Sequence, residues 1–88
     1  MNDKTIEDII KKSINNFNLV SAEKLQIKSV HKFKFNKKFD SLASINLIMA
    51  FEEVIQNEKI IKDMRKKPLN EVFKNYNSIK KFLKKYEY

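Results

Sequence analysis

Cysteine and glycine are both absent from this 88-residue chain, and proline, histidine and arginine occur once each, as Pro68, His31 and Arg65. Without cysteine there is neither a disulfide framework nor a thiolate zinc site. Without glycine, phosphate-cradling loops and dinucleotide-binding turns lose the one residue that lets the backbone approach a ligand closely. A lone histidine makes a poor metal centre and leaves a Ser-His-Asp arrangement hard to assemble; His31 reads best as an ordinary loop residue. No apolar run approaches the roughly eighteen residues of a membrane span. The N-terminal stretch is acidic and polar rather than signal-like, so a soluble, cytoplasmic, monomeric single domain over residues 1–88 is the expectation.

What is abundant is lysine. Nineteen basic residues stand against 11 acidic ones, a formal charge of +8. Such a balance points to an acidic partner, nucleic acid among them. Yet lysine without arginine lacks the planar fork favoured for base and phosphate recognition, which makes a solvated lysine surface the stronger reading.

Residues 3 to 17 have the pattern of a first helix. Asp3 or Thr5 can open it, Ile6, Ile9, Ile10, Ile14 and Phe17 share one face, and Asn15, Asn16 and Asn18 mark its end. Residues 18 to 39 sustain neither a helical nor a strand period, although Ser21 to Leu25 could form a short helical turn and Phe33-Lys34-Phe35 alternates locally. They read as a long loop pinned by aromatic anchors, and loops of this length in compact domains are usually functional. The same loop concentrates lysines between phenylalanines, a pattern that also suits a single-stranded nucleic-acid platform. Phenylalanines turned inward with lysines outward is preferred, because so small a domain needs those rings for its core.

From Ser41 to about Ile55 a second helix is expected, with a broad apolar stripe of Leu42, Ile45, Leu47, Ile48, Met49, Phe51, Val54 and Ile55. That breadth predicts a central, well-covered helix in which Met49 is core. A short third helix over about 58–65 stops ahead of Pro68. Pro68 then suits the first turn of another helix with Leu69, Val72 and Phe73 on its apolar side, and Asn77 or Ser78 caps a last helix carrying Ile79, Phe82, Leu83 and Tyr86. The fold class is therefore all-α, a small four-helix bundle with a long loop between helices one and two.

The junction at Asp40-Ser41-Leu42 organises the rest. A loop ends at a hydroxyl and turns directly into the strongest helix, beside amide hydrogens that have no intrahelical acceptor. A phosphodiester built on that oxygen would face the positive end of the helix dipole. Self-contained catalysis is not indicated: Glu52 and Glu53 lie at least eleven residues beyond Ser41, about 16 Å along a helix. Any activation of the hydroxyl must come from another protein.

Asp40-Ser41-Leu42, followed by a helix reading Leu47-Ile48-Met49-Ala50-Phe51-Glu52-Glu53, resembles the acyl carrier protein family, and the order of predicted helices extends the likeness over most of the chain. The resemblance implies a non-enzymatic carrier whose Ser41 bears 4'-phosphopantetheine, donated by coenzyme A through a phosphopantetheinyl transferase, with acyl or aminoacyl cargo held as a thioester. It implies a cargo cleft lined by Leu42, Ile45, Met49, Val72 and Phe73, and a partner face on helix two. There the family's acidic positions are occupied by Ala43 and Asn46, and Lys38-Phe39 replaces the usual glycine before the motif. Weak or reversed electrostatic steering follows, and with it a dedicated set of acyl- or aminoacyl-loading and transfer enzymes rather than bulk fatty-acid synthesis. A small basic nucleic-acid-binding domain and a carrier-fold adaptor that is never modified remain the alternatives.

Overall fold

Asn2, rather than Asp3 or Thr5, opens the first helix: in extended conformation, its side chain accepts a hydrogen bond from the Thr5 amide at 2.8 Å. The computed structural model describes residues 1–21, 24–25, 29–34 and 41–86, leaving aside the side chains of Ser41 and Asn70. Helix α1 (Asp3–Val20) runs three residues past the end expected from its asparagines. The reason is visible at Asn18, whose carboxamide turns away from the helix. It brackets Leu25, donating to that residue's carbonyl at 3.0 Å and accepting from its amide at 2.7 Å. The Lys24 ammonium donates to the carbonyls of Asn18 and Ser21, placing a cation at the negative end of α1. An asparagine expected to break the helix instead ties the following chain to it.

Of the expected turn between Ser21 and Leu25, the described residues Ser21, Lys24 and Leu25 are not helical. A 3-10 turn occupies Val30–Lys32, with the Ser29 hydroxyl accepting from the His31 amide. Phe33 then dives into the core while Lys32 and Lys34 stay exposed. Phe35, Phe39 and the lysines between them lie outside the described residues. Lys34 makes only an isolated antiparallel bridge to Asn75, and no strand occurs among the described residues.

Helix α2 (Ser41–Ile55) forms its most extensive interface with α1. It ends at Gln56, whose φ of 50° places a side-chain-bearing residue in the left-handed region usually given to glycine, of which this chain has none. Asn57 caps α3 (Glu58–Arg65), accepting from the amides of Lys59 and Ile60. Pro68 precedes the single turn α4 (Leu69–Val72) and stands in its cap position rather than inside it. The cap of α5 (Tyr76–Lys84) is Asn75, not Asn77 or Ser78: Asn75 and Ser78 bond reciprocally as a capping box. That shift makes Tyr76 the first residue of α5 and buries its ring.

Among the described residues four helices of two turns or more thus surround one apolar cluster. Ile6, Ile10 and Phe17 come from α1, Leu47, Phe51 and Ile55 from α2, Ile60 and Met64 from α3, and Ile79, Phe82 and Leu83 from α5. Phe51 lies at the centre, 4.9 Å from the Phe73 ring and 6.3 Å, edge-on, from that of Phe33. Ser13 is buried in this apolar wall because its hydroxyl donates to the Ile9 carbonyl at 2.6 Å, one turn back.

Candidate functional site

Helix α2 carries two apolar stripes on opposite sides. Ala43, Leu47, Ala50, Phe51 and Ile55 are buried against the bundle. At 100° per residue, Leu42, Ile45 and Met49 fall roughly 200° around the helix from the centre of that face, and they are 65%, 52% and 52% exposed. Two small alanines thus share the inner face with Leu47, Phe51 and Ile55, while three large apolar side chains are left facing outward. Alanine at 43 and 50 lets the start of α2 lie close to its neighbours; the outer stripe is not needed to hold the bundle.

The expectation that the whole stripe is covered, with Met49 as core, is corrected here. One broad stripe in the sequence is two narrow ones in space. The first eleven residues of α2, 41–51, also carry no charge, in a chain of which 34% is charged. An exposed apolar strip on an uncharged helix face is the commonest mark of a surface that another molecule covers.

Ser41 is the first residue of α2, at the head of this strip. Asp40 lies outside the described residues, as does the side chain of Ser41. Of the residues expected at a partner face, Asn46 is half-buried, while Ala43 belongs to the core. Val72 and Phe73 are also buried, so the five residues expected to line one cleft divide into three that face solvent and two that do not.

Charge returns to α2 in its last turns, where Glu52 and Glu53 diverge. Glu52 accepts two hydrogen bonds from Arg65 on α3, Nε to Oε2 at 2.8 Å and Nη2 to Oε1 at 2.9 Å, and this bonding raises the guanidinium's pKa further above its ordinary value. Glu53 points to solvent. The single fork-bearing cation of the chain is thereby engaged within the fold.

His31 is held by Glu7 of α1, Nε2 to Oε1 at 2.7 Å, and its ring lies 4.4 Å from that of Tyr76. It braces the 3-10 turn between α1 and α5. Among the described residues no group of three histidines, cysteines or carboxylates could hold a metal, and no helix is long and apolar enough to cross a membrane. Sequence reasoning had no signal for the exposure of Leu42, Ile45 and Met49 except one: Ala43, Leu47, Ala50 and Val54 already form a complete core stripe at helical spacing, which leaves the other three residues over.

Comparison with protein-family models, with curated proteins and with solved structures returns no match.

Proposed function

We propose that this chain is an acyl or aminoacyl carrier that bears 4'-phosphopantetheine on Ser41, within a small bundle of acyl-carrier-protein type, and serves a dedicated set of partner enzymes. The observation that supports this most is the pairing of Ser41 at the head of a 15-residue helix with an uncharged, exposed apolar strip that starts at the next residue. A tethering hydroxyl needs a surface on which its modifying enzyme can land, and Leu42, Ile45 and Met49 offer one within the first three turns. Binding there is driven by apolar burial rather than by the charge pairing that acids at 43 and 46 would provide. The amide hydrogens of the first turn favour the phosphodiester once it is formed. The group brings the thiol that the chain lacks, and the partner enzyme brings the base and metal that activate the Ser41 hydroxyl.

Two features weigh against the nucleic-acid reading. Arg65 is tied to Glu52, and Phe33, an aromatic of the basic loop, is buried where no base can stack on it. The unmodified adaptor would use the same apolar strip without Ser41. Intact-protein mass spectrometry after incubation with coenzyme A, magnesium and a broad-specificity phosphopantetheinyl transferase separates the two: the carrier gains one phosphopantetheine and the adaptor gains nothing.

A further inference from the structure

The lysines of α5 and its C-cap, Lys85, are sorted into two sets. Lys80 and Lys84 both reach back to Asp3 at the start of α1, at 3.5 and 2.7 Å, and hold its carboxyl below the ordinary carboxylate range, chiefly through the Lys84 hydrogen bond. Lys81 and Lys85, one turn apart on another face, form no ion pair among the described residues, although Lys85 is near enough to Asp63 to help hold that carboxyl low. Together with Lys67, which follows α3, they line an open groove of about 380 Å³, floored by Val72 and Phe82. Among the described residues that line it the one acid is Glu71, 3.8 Å from Lys67. The nearby Asp63 is engaged by the Tyr86 hydroxyl.

Like charges four residues apart weaken a helix, so Lys81 and Lys85 repel each other until something acidic lies between them. Two ammonium groups one turn apart, with a third across the groove, match carboxylates on alternate residues of an extended segment, about 7 Å apart. Nucleic acid fits less well. Phe82 is buried and Lys85 sits 4.9 Å over its ring and 5.4 Å from that of Tyr86, so these rings offer little open face for stacking bases. The groove is also short, where a nucleic-acid track is long. We propose that the groove between α4 and α5 is a docking site for an acidic segment of a partner protein, gripped by Lys67, Lys81 and Lys85. This second surface is independent of Ser41 and of the strip on α2.

The test uses the full chain and three labelled probes read by fluorescence anisotropy: a glutamate-rich peptide, its glutamine counterpart, and an oligothymidylate of matched charge. The glutamate peptide should bind saturably, more weakly as salt rises, and the glutamine peptide should not bind. Lys81→Gln/Lys85→Gln should weaken binding by about tenfold or more, while the charge-matched pairs Lys80→Gln/Lys84→Gln and Lys59→Gln/Lys62→Gln should change it by less than about threefold. Circular dichroism confirms that each variant is folded, and Ser41→Ala should bind as the parent does. Equal losses in the α5 variant and the Lys59/Lys62 control, tighter binding of the oligothymidylate than of the peptide, or no saturable binding would overturn the proposal.

Discussion

Arg65 closes a two-pronged clasp on Glu52, joining the last turn of α3 to the last turns of α2 across a chain reversal that contains no glycine. Lysine in place of Arg65 keeps the charge and loses the fork. Arg65→Lys and Glu52→Gln should each lower the thermal midpoint, and the double variant should be little worse than either alone, because both remove the same interaction. A double-mutant cycle by thermal denaturation checks this. Arg65→Lys should not alter oligonucleotide binding, since the guanidinium it removes is occupied within the fold.

Gln56 is held at a positive φ by the turn between α2 and α3, where a β-carbon is unfavourable. Gln56→Gly relieves that conformation but loosens the unfolded chain, and the first effect is the larger: about 1–2 kcal/mol against somewhat less than 1. A net gain of about 0.5–1 kcal/mol in denaturant unfolding is expected, with an unchanged m-value.

The two faces of α2 should separate stability from recognition. Leu42→Ser, Ile45→Thr and Met49→Gln each remove exposed surface and should change unfolding free energy by no more than about 0.5 kcal/mol. Leu47→Ala and Phe51→Ala open cavities in the core and should cost about 2–5 kcal/mol. Combined, the three outer substitutions should slow transfer of phosphopantetheine by at least about tenfold, the scale expected when a few half-exposed apolar side chains lose their burial against a partner. Transfer rates followed by mass spectrometry, beside urea melts, measure both.

The face that mattered was the one least legible in the sequence. The boundaries of α2 and α3 follow from apolar spacing and from Pro68, and the all-helical class follows from the same periodicities. The end of α1 does not, because Asn18 is a helix breaker only where its side chain competes for the helix backbone, and here it bonds to Leu25 instead. The cap of α5 lies two or three residues before the expected Asn77 or Ser78, because only the reciprocal bonds between Asn75 and Ser78 select Asn75 over those neighbours. On α2, hydrophobicity alone cannot tell a buried leucine from an exposed one. The decision rests with Ala43 and Ala50, whose small size lets the helix pack on their side.

At high pH, Tyr86 should make the fold less stable. Burial, and then its hydrogen bond to Asp63, push the phenol from an ordinary value of 10.0 up to about 12. The unfolded chain releases that proton first, so the contribution is complete below pH 10 and declines as pH rises towards 12. Asp63 behaves in the opposite sense. The same bond holds its carboxyl below the ordinary 3.8, so its contribution is present above that pH and disappears as pH falls below it. Tyr86→Phe should flatten the alkaline loss relative to the parent and reduce the acid loss. A residual alkaline slope should survive from Tyr76, whose phenol is also raised by burial. Urea midpoints across pH, taken as differences between variant and parent, cancel the lysines that titrate in the same range.

Tandem mass spectrometry of the protein after reaction with coenzyme A and a phosphopantetheinyl transferase bears most directly on the proposal that Ser41 carries a tether. One phosphopantetheine should be found, localised to the peptide containing Ser41 and absent from Ser41→Ala. An unmodified protein under conditions that load a known carrier to completion, or an adduct on any other residue, would contradict it.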